Sequence, residues 1–289
     1  MDNLSIIIPA YNEEKAIKET LQSIEKLTKV NPNMEVIFVD DGSTDHTQQF
    51  LGSLKNKQIT IIVHKKNKGY GAALKSGIKC ASFENVGIID ADGSYPIKKI
   101  PELYEKYILE NADMAIGSRV GDVVKIGILR RFPKFILRKL AEYLSEEEIP
   151  DLNSGLRVIK KNLLLKSLKY LPQGFSFTTT LTLFFLSNNH KITYFPVNYY
   201  KRKGKSKIKP VRDTLNFFQL ILRTVMFFNP LKIFLPLSAF FIFFSLLVLV
   251  ASYLMGRVMD ITTILLFIAG LNFLAIGLLA DLIDKRLPK

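Results

Sequence analysis

Four short segments of this 289-residue sequence gather carboxylates, glycines and cations directly after runs of β-branched residues. Asp90-Ala91-Asp92-Gly93-Ser94 sets two acids one residue apart beyond an apolar run. Neighbouring carboxylates repel unless a cation lies between them, and hard oxygen ligands of this kind suit Mg²⁺ or Mn²⁺ bridging a diphosphate. An isolated Asp-x-Asp is equally a turn. Val39 to Asp45 carries Asp41, whose carboxylate can accept the imide or amide hydrogen of a nucleobase. In Pro9-Ala10-Tyr11-Asn12-Glu13, Tyr11 can stack on the same ring. The alternative for both segments is a helix amino-terminal cap, which is the plain reading of Thr44 and Asp45. Asn67 to Ala73 brings Lys68 and Gly69 to a helix start, where backbone amides favour phosphate, a tight packing turn being the alternative. It is not a dinucleotide fingerprint, because the third glycine and the ribose-binding acid are missing.

Other chemistries find less support. His46, His64 and His190 have no mutual spacing of a metal site and read as surface or strand-end polar groups, so Ser-His-Asp catalysis is unsupported. A single cysteine, Cys80, excludes an intramolecular disulfide framework and fits a reducing compartment. With 40 Lys and Arg against 26 Asp and Glu, the formal charge is +14, a surface that seeks anions: nucleic acid, lipid headgroups or phosphorylated ligands.

The elements that must position these groups alternate in type. Leu4-Ile8, Glu35-Val39, Ile59-Val63, Val86-Ile89 and Met114-Ile116 read as strands, and Glu13-Leu27 and Gly71-Ala81 as helices. The alternation predicts an α/β domain with a mainly parallel sheet covered on both faces and ligands at the carboxyl ends of its strands. Val123-Leu144 and Val211-Phe228 interleave apolar residues with Lys and Arg and read as amphipathic helices at a membrane interface, with ordinary packing helices as the alternative. Leu231-Met255 and Ile261-Ala280 are apolar enough to cross ~30 Å of hydrocarbon. A buried hairpin of a soluble core is the alternative. Asn272, inside the second span, is expected to hydrogen-bond a neighbouring helix or to help associate protomers.

Seven Lys or Arg between Lys201 and Arg212, three after Asp284 and only Arg257 in the connection place both ends of the hairpin on the cytoplasmic side by the positive-inside bias. The amino terminus lacks a basic n-region, and its apolar run is too short for a signal peptide, so the first domain is expected in the cytosol. The expected organisation is a cytoplasmic catalytic domain over residues 1–209 with the 123–144 interface helix inserted. A second interface helix over 210–229 follows, and then a transmembrane hairpin over 230–289 with spans near 231–255 and 261–282. Self-association through the thin anchor is a hypothesis. The basic run 201–212 lies just before these membrane elements, so lipid phosphate is its better partner and nucleic acid is not expected.

In order, the motifs P-A-Y-N-E, V-D-D-G-S-T-D, G-Y-G-A-A, D-A-D-G and G-S-R resemble the inverting family 2 glycosyltransferases with the GT-A fold. D-L-N-S-G-L-R (Asp151-Arg157) and R-K-G-K-S-K (Arg202-Lys207), followed by apolar spans, narrow the resemblance to the dolichol-phosphate mannose synthase and polyprenyl-phosphate glucosyltransferase group. It covers the whole chain and is strongest from Leu4 to Arg119.

The resemblance implies transfer of a hexose from a nucleotide-sugar, UDP-glucose or GDP-mannose, to a polyprenyl phosphate such as dolichyl or undecaprenyl phosphate. It makes Pro9, Tyr11, Asn12, Glu13, Asp41, Lys68 and Gly69 donor contacts, with Asp90 and Asp92 holding Mg²⁺ or Mn²⁺. Ser94 stands where mannose synthases carry a metal-contacting glutamine, which tilts the donor toward UDP-glucose. Arg119, Arg131 and Arg202 match phosphate-gripping positions, Arg130 competes with Arg131, and Ser154 and Ser206 lie in the same acceptor motifs. Asp151 orients the sugar or the acceptor, a turn former being its alternative. Rival functions are a membrane-tethered transferase for a non-lipid glycan acceptor and a non-catalytic membrane scaffold. A processive polysaccharide synthase is disfavoured because its Q-x-x-R-W element needs the tryptophan this chain lacks.

Overall fold

A computed structural model of the chain describes residues 3–120, 128–174, 176–202, 230–256 and 260–286. Side chains at 128–134, 260 and 284–286 also lie outside the description. The chain divides into two compact units, residues 1–138 with 148–217, and residues 139–147 with 218–289.

The first unit is built on a seven-stranded sheet: β1 Leu4–Ala10, β2 Met34–Asp40, β3 Ile59–Val63, β4 Asn85–Ile88, β5 Met114–Val120, β6 Arg157–Lys160 and β7 Ile192–Asn198, in the order β3-β2-β1-β4-β6-β5-β7. All neighbours are parallel except β6, which runs antiparallel to both β4 and β5. The helices are α1 Glu14–Val30, α2 Thr47–Gly52, α3 Tyr70–Cys80, α4 Ile100–Leu109, α5 Ile128–Ser145, α6 Lys161–Ser167 and α7 Phe177–Ser187. The five expected strands and the helices expected over Glu13-Leu27 and Gly71-Ala81 are present, α5 covers the described part of the helix expected over 123–144, and β6 and β7 are additions to them.

Strand periodicity explains the two cores. Ile6 and Ile8 of β1 and Val36 and Phe38 of β2 point to one face, where they meet Ile17, Leu21 and Ile24 of α1. Ile7, Ile37 and Val39 point to the other, against Ala73, Leu74 and Ile78 of α3 and Phe177, Leu181 and Phe185 of α7. Strands covered on both faces must be apolar throughout, and β1 is buried at all seven positions. Each fully buried aliphatic side chain contributes about 1.5–3 kcal/mol of transfer free energy.

Topology also delivers the distant motifs to one edge. Because β6 is antiparallel to β4, with Arg157 opposite Ile88, the segment Asp151-Leu156 arrives beside the carboxyl end of β4, where Asp90 stands. β7 pairs in parallel with β5, Asn198 opposite Val120, so Tyr199 and Arg202 emerge next to Arg119.

The second unit holds α8 Pro230–Met255 and α9 Asp260–Arg286 with the end of α5. α8 and the segment Ile261–Ile283 are long and apolar enough to cross a membrane, with mean hydropathies of 2.7 and 2.3. Only 11% and 17% of their apolar windows are buried, unlike the core helices of a soluble protein. The two helices meet through small residues: Ser238, Ser245 and Ser252, seven apart on α8, are buried, and Ser245 Oγ donates to the Thr263 carbonyl at 2.9 Å. A Cβ on Gly270 would fall 2.6 Å from Ile242 Cγ1, and one on Gly277 2.6 Å from Phe234 Cβ, so α9 needs glycine at both contacts. Asn272 does not make the expected hydrogen bond within the hairpin. It is exposed on α9 and makes no bond to α8, because it lies about 200° around the helix from Gly270. The helix expected over 211–228 and the basic segment 203–210, including Ser206, lie outside the described residues.

Candidate active site

The acidic pair sits just past β4. Asp90 Oδ1 accepts the Tyr70 hydroxyl at 2.8 Å, while Asp92 Oδ1 accepts the Ser94 backbone amide at 3.0 Å and its hydroxyl at 2.5 Å. Removal from solvent, and then the like charge of Asp92, push Asp90 up to about 7, while Tyr70, Arg202 and Arg119 act in the opposite sense. Both arginines therefore lie within electrostatic reach of the pair. Gly155 packs directly on Asp90: a Cβ there would stand 2.2 Å from Asp90 Oδ2.

Two hard carboxylates whose mutual repulsion is only partly relieved fit a divalent cation. Among the described residues no group of three or more acids, histidines or cysteines is placed to hold a metal. Ser94 is fully buried and donates its hydroxyl to Asp92, which braces that carboxylate.

Arg119 and Asp151, expected to act separately, are partners. The guanidinium donates through Nε to Asp151 Oδ2 and through Nη2 to Oδ1, each at 2.7 Å, and the Arg119 amide adds a third bond at 3.1 Å. Burial alone raises a carboxyl, yet the Arg119 hydrogen bonds and charge hold Asp151 below the usual carboxylate range. The same guanidinium lies 5.3 Å from the Tyr199 ring centroid, and Tyr199 meets Tyr95 edge-on at 5.2 Å. Fork and ring fix the plane of the cation. Tyr95 accepts the Gly155 amide at 2.8 Å, which ties this wall to the segment that packs on Asp90.

Arg202 bridges two strand ends, donating to Glu13 Oε1 and lying with Nε 3.5 Å from Asp92 Oδ2. Arg130 and Arg131 fall within α5, but their side chains lie outside the described residues. Ser154 differs from expectation: it is fully buried and donates to the Gly117 carbonyl at 2.6 Å, so it closes the turn rather than facing an acceptor. Pro9 is likewise buried within β1, opposite Val39.

On the donor side, Asp41 is 2% exposed and mostly spoken for. Its Oδ1 takes the Lys68 amide at 2.9 Å and His64 Nδ1 at 2.7 Å, and its Oδ2 takes the Gly69 amide at 2.8 Å, leaving one acceptor position. Gly69 has φ 103°, open to glycine, and a Cβ would meet the Gln173 carbonyl at 2.6 Å. The Lys68-Gly69 loop is thus clamped between Asp41 and the 172–174 turn. Asn12, at φ 52°, accepts the Thr44 amide at 2.7 Å and donates to the Thr44 hydroxyl at 3.2 Å, so it joins the first two loops. Asp45 accepts the Thr47 amide at the start of α2 at 3.0 Å, the capping role expected of it, and also the Glu14 amide of α1 at 3.2 Å.

Sequence reasoning missed His64, Tyr70, Tyr95 and Tyr199. His64 is the strand-end polar group of the expectation rather than a surface one; it is buried, and its Nε2 lies 2.9 Å from Ser76 Oγ. Its place directly after β3, at the same sheet edge as Asp41, was the available signal. Tyr70 sits between the two glycines of its motif, and Tyr95 directly follows the acidic turn.

Comparisons with known proteins agree with this architecture. The Glycosyl transferase family 2 model matches residues 5–168, more than half of the chain, and the GtrB C-terminal hairpin model matches residues 229–285. A dolichol-phosphate mannosyltransferase of Pyrococcus furiosus is 29% identical over 216 residues, covering 71% of this chain and 59% of that protein. The chain spans less than two thirds of the length of this and one other archaeal relative, 59% and 64%. The bactoprenol glucosyl transferase of Shigella phage SfV is 25% identical over 302 residues, covering 98% of this chain and 93% of the relative. Among solved structures, glucosyl-3-phosphoglycerate synthase from Mycobacterium tuberculosis, determined with Mn²⁺ and UDP, superposes with TM-score 0.59 at 19% identity over 78% of this chain and 79% of that one, which establishes the fold. With the family model covering six of the seven strands, β4 before the acidic pair among them, the chain belongs to glycosyl transferase family 2.

Proposed function

We propose that the protein is an inverting hexosyltransferase that moves a sugar from a nucleotide-sugar to polyprenyl phosphate at the cytoplasmic face of a membrane. The observation that carries this reading is the gathering of Asp90 and Asp92 with Arg119 and Arg202 at one sheet edge, in a chain that also bears two apolar helices. The names of the mannosyl- and glucosyltransferase relatives support it. Residues 1–209 form the catalytic part and 230–289 the anchor. The charge count, seven Lys or Arg in 201–212 against Arg257 alone in the hairpin connection, supports the cytoplasmic orientation.

The reaction follows from the charges. A phosphate monoester with second pKa near ~6 is already an anionic nucleophile at neutral pH, so its oxygen attacks the anomeric carbon without a strong base. The configuration inverts and the nucleoside diphosphate leaves. Arg119, fixed by Asp151, and Arg202, together with Arg131 or Arg130 and Ser206, hold two anions that otherwise repel; each guanidinium-phosphate bond contributes roughly 1.5–3 kcal/mol. Mg²⁺ or Mn²⁺ held by Asp90 and Asp92 would neutralise charge on the departing diphosphate. The loop clamped by Asp41 presents the Lys68-Gly69 segment to the donor, with Tyr11 beside the base and Glu13 steering Arg202.

UDP-glucose is the preferred donor, with GDP-mannose next, because Ser94 takes the place of the mannose-synthase glutamine. A radiolabelled donor panel with purified protein, Mn²⁺ or Mg²⁺ and polyprenyl phosphate tests the reading: label should enter the lipid fraction. Label entering only a glycan or protein acceptor, or no fraction with any donor, would sink it.

A further inference from the structure

One short turn is fastened to both sides of the site. Asp151 at its start holds Arg119, and Gly155 at its end packs on Asp90. Asn153 lies midway, two residues and so at most about 7 Å of chain from each. Its backbone is pinned on either side, because the fully buried Arg157 donates through Nη2 to the Leu152 carbonyl at 3.3 Å and through Nε to the Ser154 carbonyl at 2.9 Å. The Asn153 amide itself donates to Asp151 Oδ1 at 3.0 Å. The side chain is oriented as well: Thr179 donates its hydroxyl to Asn153 Oδ1 at 2.5 Å, and Thr178 adds a longer bond at 3.4 Å, both from the buried first turn of α7. Two hydroxyls take up the lone pairs of that oxygen, while Nδ2 of the partly exposed side chain bonds no described residue.

We propose that the Asn153 side-chain amide donates a hydrogen bond to a hydroxyl oxygen of the hexose being transferred. The inference rests on the hexosyl-transfer reading above. In that reading the diphosphate lies on the acidic pair and the attacking phosphate on Arg119, so the hexose, joined to one and approached by the other, occupies the interval that the 151–155 turn spans. With its oxygen engaged, the side chain offers only N–H groups, and these fit an oxygen lone pair. A hydroxyl is a better match than phosphate, because a neutral donor adds little where Arg119 and Arg202 already supply charge-assisted bonds. A fixed donor also selects: it favours the hexose whose hydroxyl stands at that point and is left unpaired by one whose hydroxyl does not.

Transfer to undecaprenyl phosphate by the full chain tests this, with UDP-glucose and its monodeoxy analogues as donors, or GDP-mannose and its analogues where that nucleotide labels the lipid. Asn153→Ala should lower donor kcat/KM about fivefold to tenfold for the parent sugar. One deoxy analogue should already be poor with wild type, and for it alone the variant should lose nothing further. Thr179→Val, which removes the orienting hydroxyl at nearly constant volume, should cause part of the loss, and Thr179→Ser should restore it. Acceptor KM, and the affinity for the free nucleoside diphosphate with Mn²⁺ measured by calorimetry, should stay within about twofold of wild type, since neither ligand carries the hexose. Equal loss with the parent sugar and every analogue, a change confined to acceptor KM, or weakened nucleoside diphosphate binding would each overturn the assignment. Wild type that labels no lipid with either donor removes the function reading and the inference with it, whereas active wild type matched by Asn153→Ala refutes only the inference.

Discussion

His64 Nδ1 lies 2.7 Å from Asp41 Oδ1, and the Asp41 carboxylate in turn accepts the amides of Lys68 and Gly69 at 2.9 and 2.8 Å. A side chain at the end of β3 therefore fixes a carboxylate at the end of β2, and that carboxylate fixes the loop entering α3. The link runs through three hydrogen bonds to Asp41, with no contact between His64 and the loop amides required.

The consequence is a selective effect on donor binding. Losing one charge-assisted hydrogen bond costs about 1.5 kcal/mol, roughly tenfold in affinity. His64→Ala should raise the donor KM about tenfold and leave kcat within a few fold. His64→Asn, whose amide nitrogen can replace Nδ1, should return most of the loss. Steady-state kinetics over donor concentration check this; equal loss in Asn and Ala variants, or a fall in kcat alone, would remove the loop-positioning role.

Arg119 and Asp151 make a testable pair because both are well shielded, at 25% and 7% side-chain exposure. Asp151→Asn leaves the guanidinium without its counter-charge and should cost about 2–3 kcal/mol of stability at pH 7, discounted from the fully buried case for the exposed edge of Arg119. The sign with pH follows from the depressed Asp151 carboxyl. Its contribution is present above the unfolded value near ~3.9 and is lost as pH falls through the lower folded value, so wild type and variant should converge in acid. Denaturant melts of detergent-solubilised protein at several pH values read this out. A stability gap that is constant with pH would show that Asp151 acts by shape alone.

The chain's sequence carried the sheet edge and most of the site, because strand-end motifs announce themselves by type. It did not carry β6, whose four residues Arg157–Lys160 follow a turn and show no full period, nor the antiparallel direction that brings Gly155 onto Asp90. Partnership was equally invisible. Nothing in the local pattern ties Arg119 to Asp151 or Asp41 to His64, since those contacts depend on strand order. Ser154 was misplaced for the same reason: only the fold buries its hydroxyl against Gly117. Asn272 was read for its polarity, but the face it occupies follows from where Gly270 and Gly277 contact α8.

Gly155 leads to the sharpest substitution. A methyl group there would stand 2.2 Å from Asp90 Oδ2, with the carboxyl carbon at 2.6 Å, and Tyr95 holds the Gly155 amide so the turn cannot simply retreat. Gly155→Ala should displace Asp90 and reduce turnover at least a hundredfold, about 2.7 kcal/mol or more. Mn²⁺ affinity, measured by electron paramagnetic resonance, should drop in parallel. Asp92→Asn should leave the free Mn²⁺ signal undiminished at comparable concentration, with the melting transition near wild type. Chelation of wild type should mimic the loss of turnover, and activity that survives both chelation and Asp92→Asn would remove the metal role.

The end of α5 offers a test in the second unit. Lys232 Nζ donates to the Tyr143 carbonyl at 2.7 Å and to Glu146 Oε1 at 2.6 Å, and it lies 4.8 Å from the Tyr143 ring centroid. Glu146 is largely exposed, so its ion pair contributes little in water. The carbonyl bond differs, because it satisfies one of the last unpaired groups of α5 and places a cation at the negative end of its dipole. Lys232→Met keeps the aliphatic stem and removes the charge, and it should speed hydrogen exchange in 142–146 severalfold while leaving the sheet strands unchanged. Lys232→Arg, which retains a donor, should restore protection, whereas Glu146→Gln should change little. If Glu146→Gln loosened the segment as much as Lys232→Met, the exposed ion pair rather than the helix-end bond would be the tie.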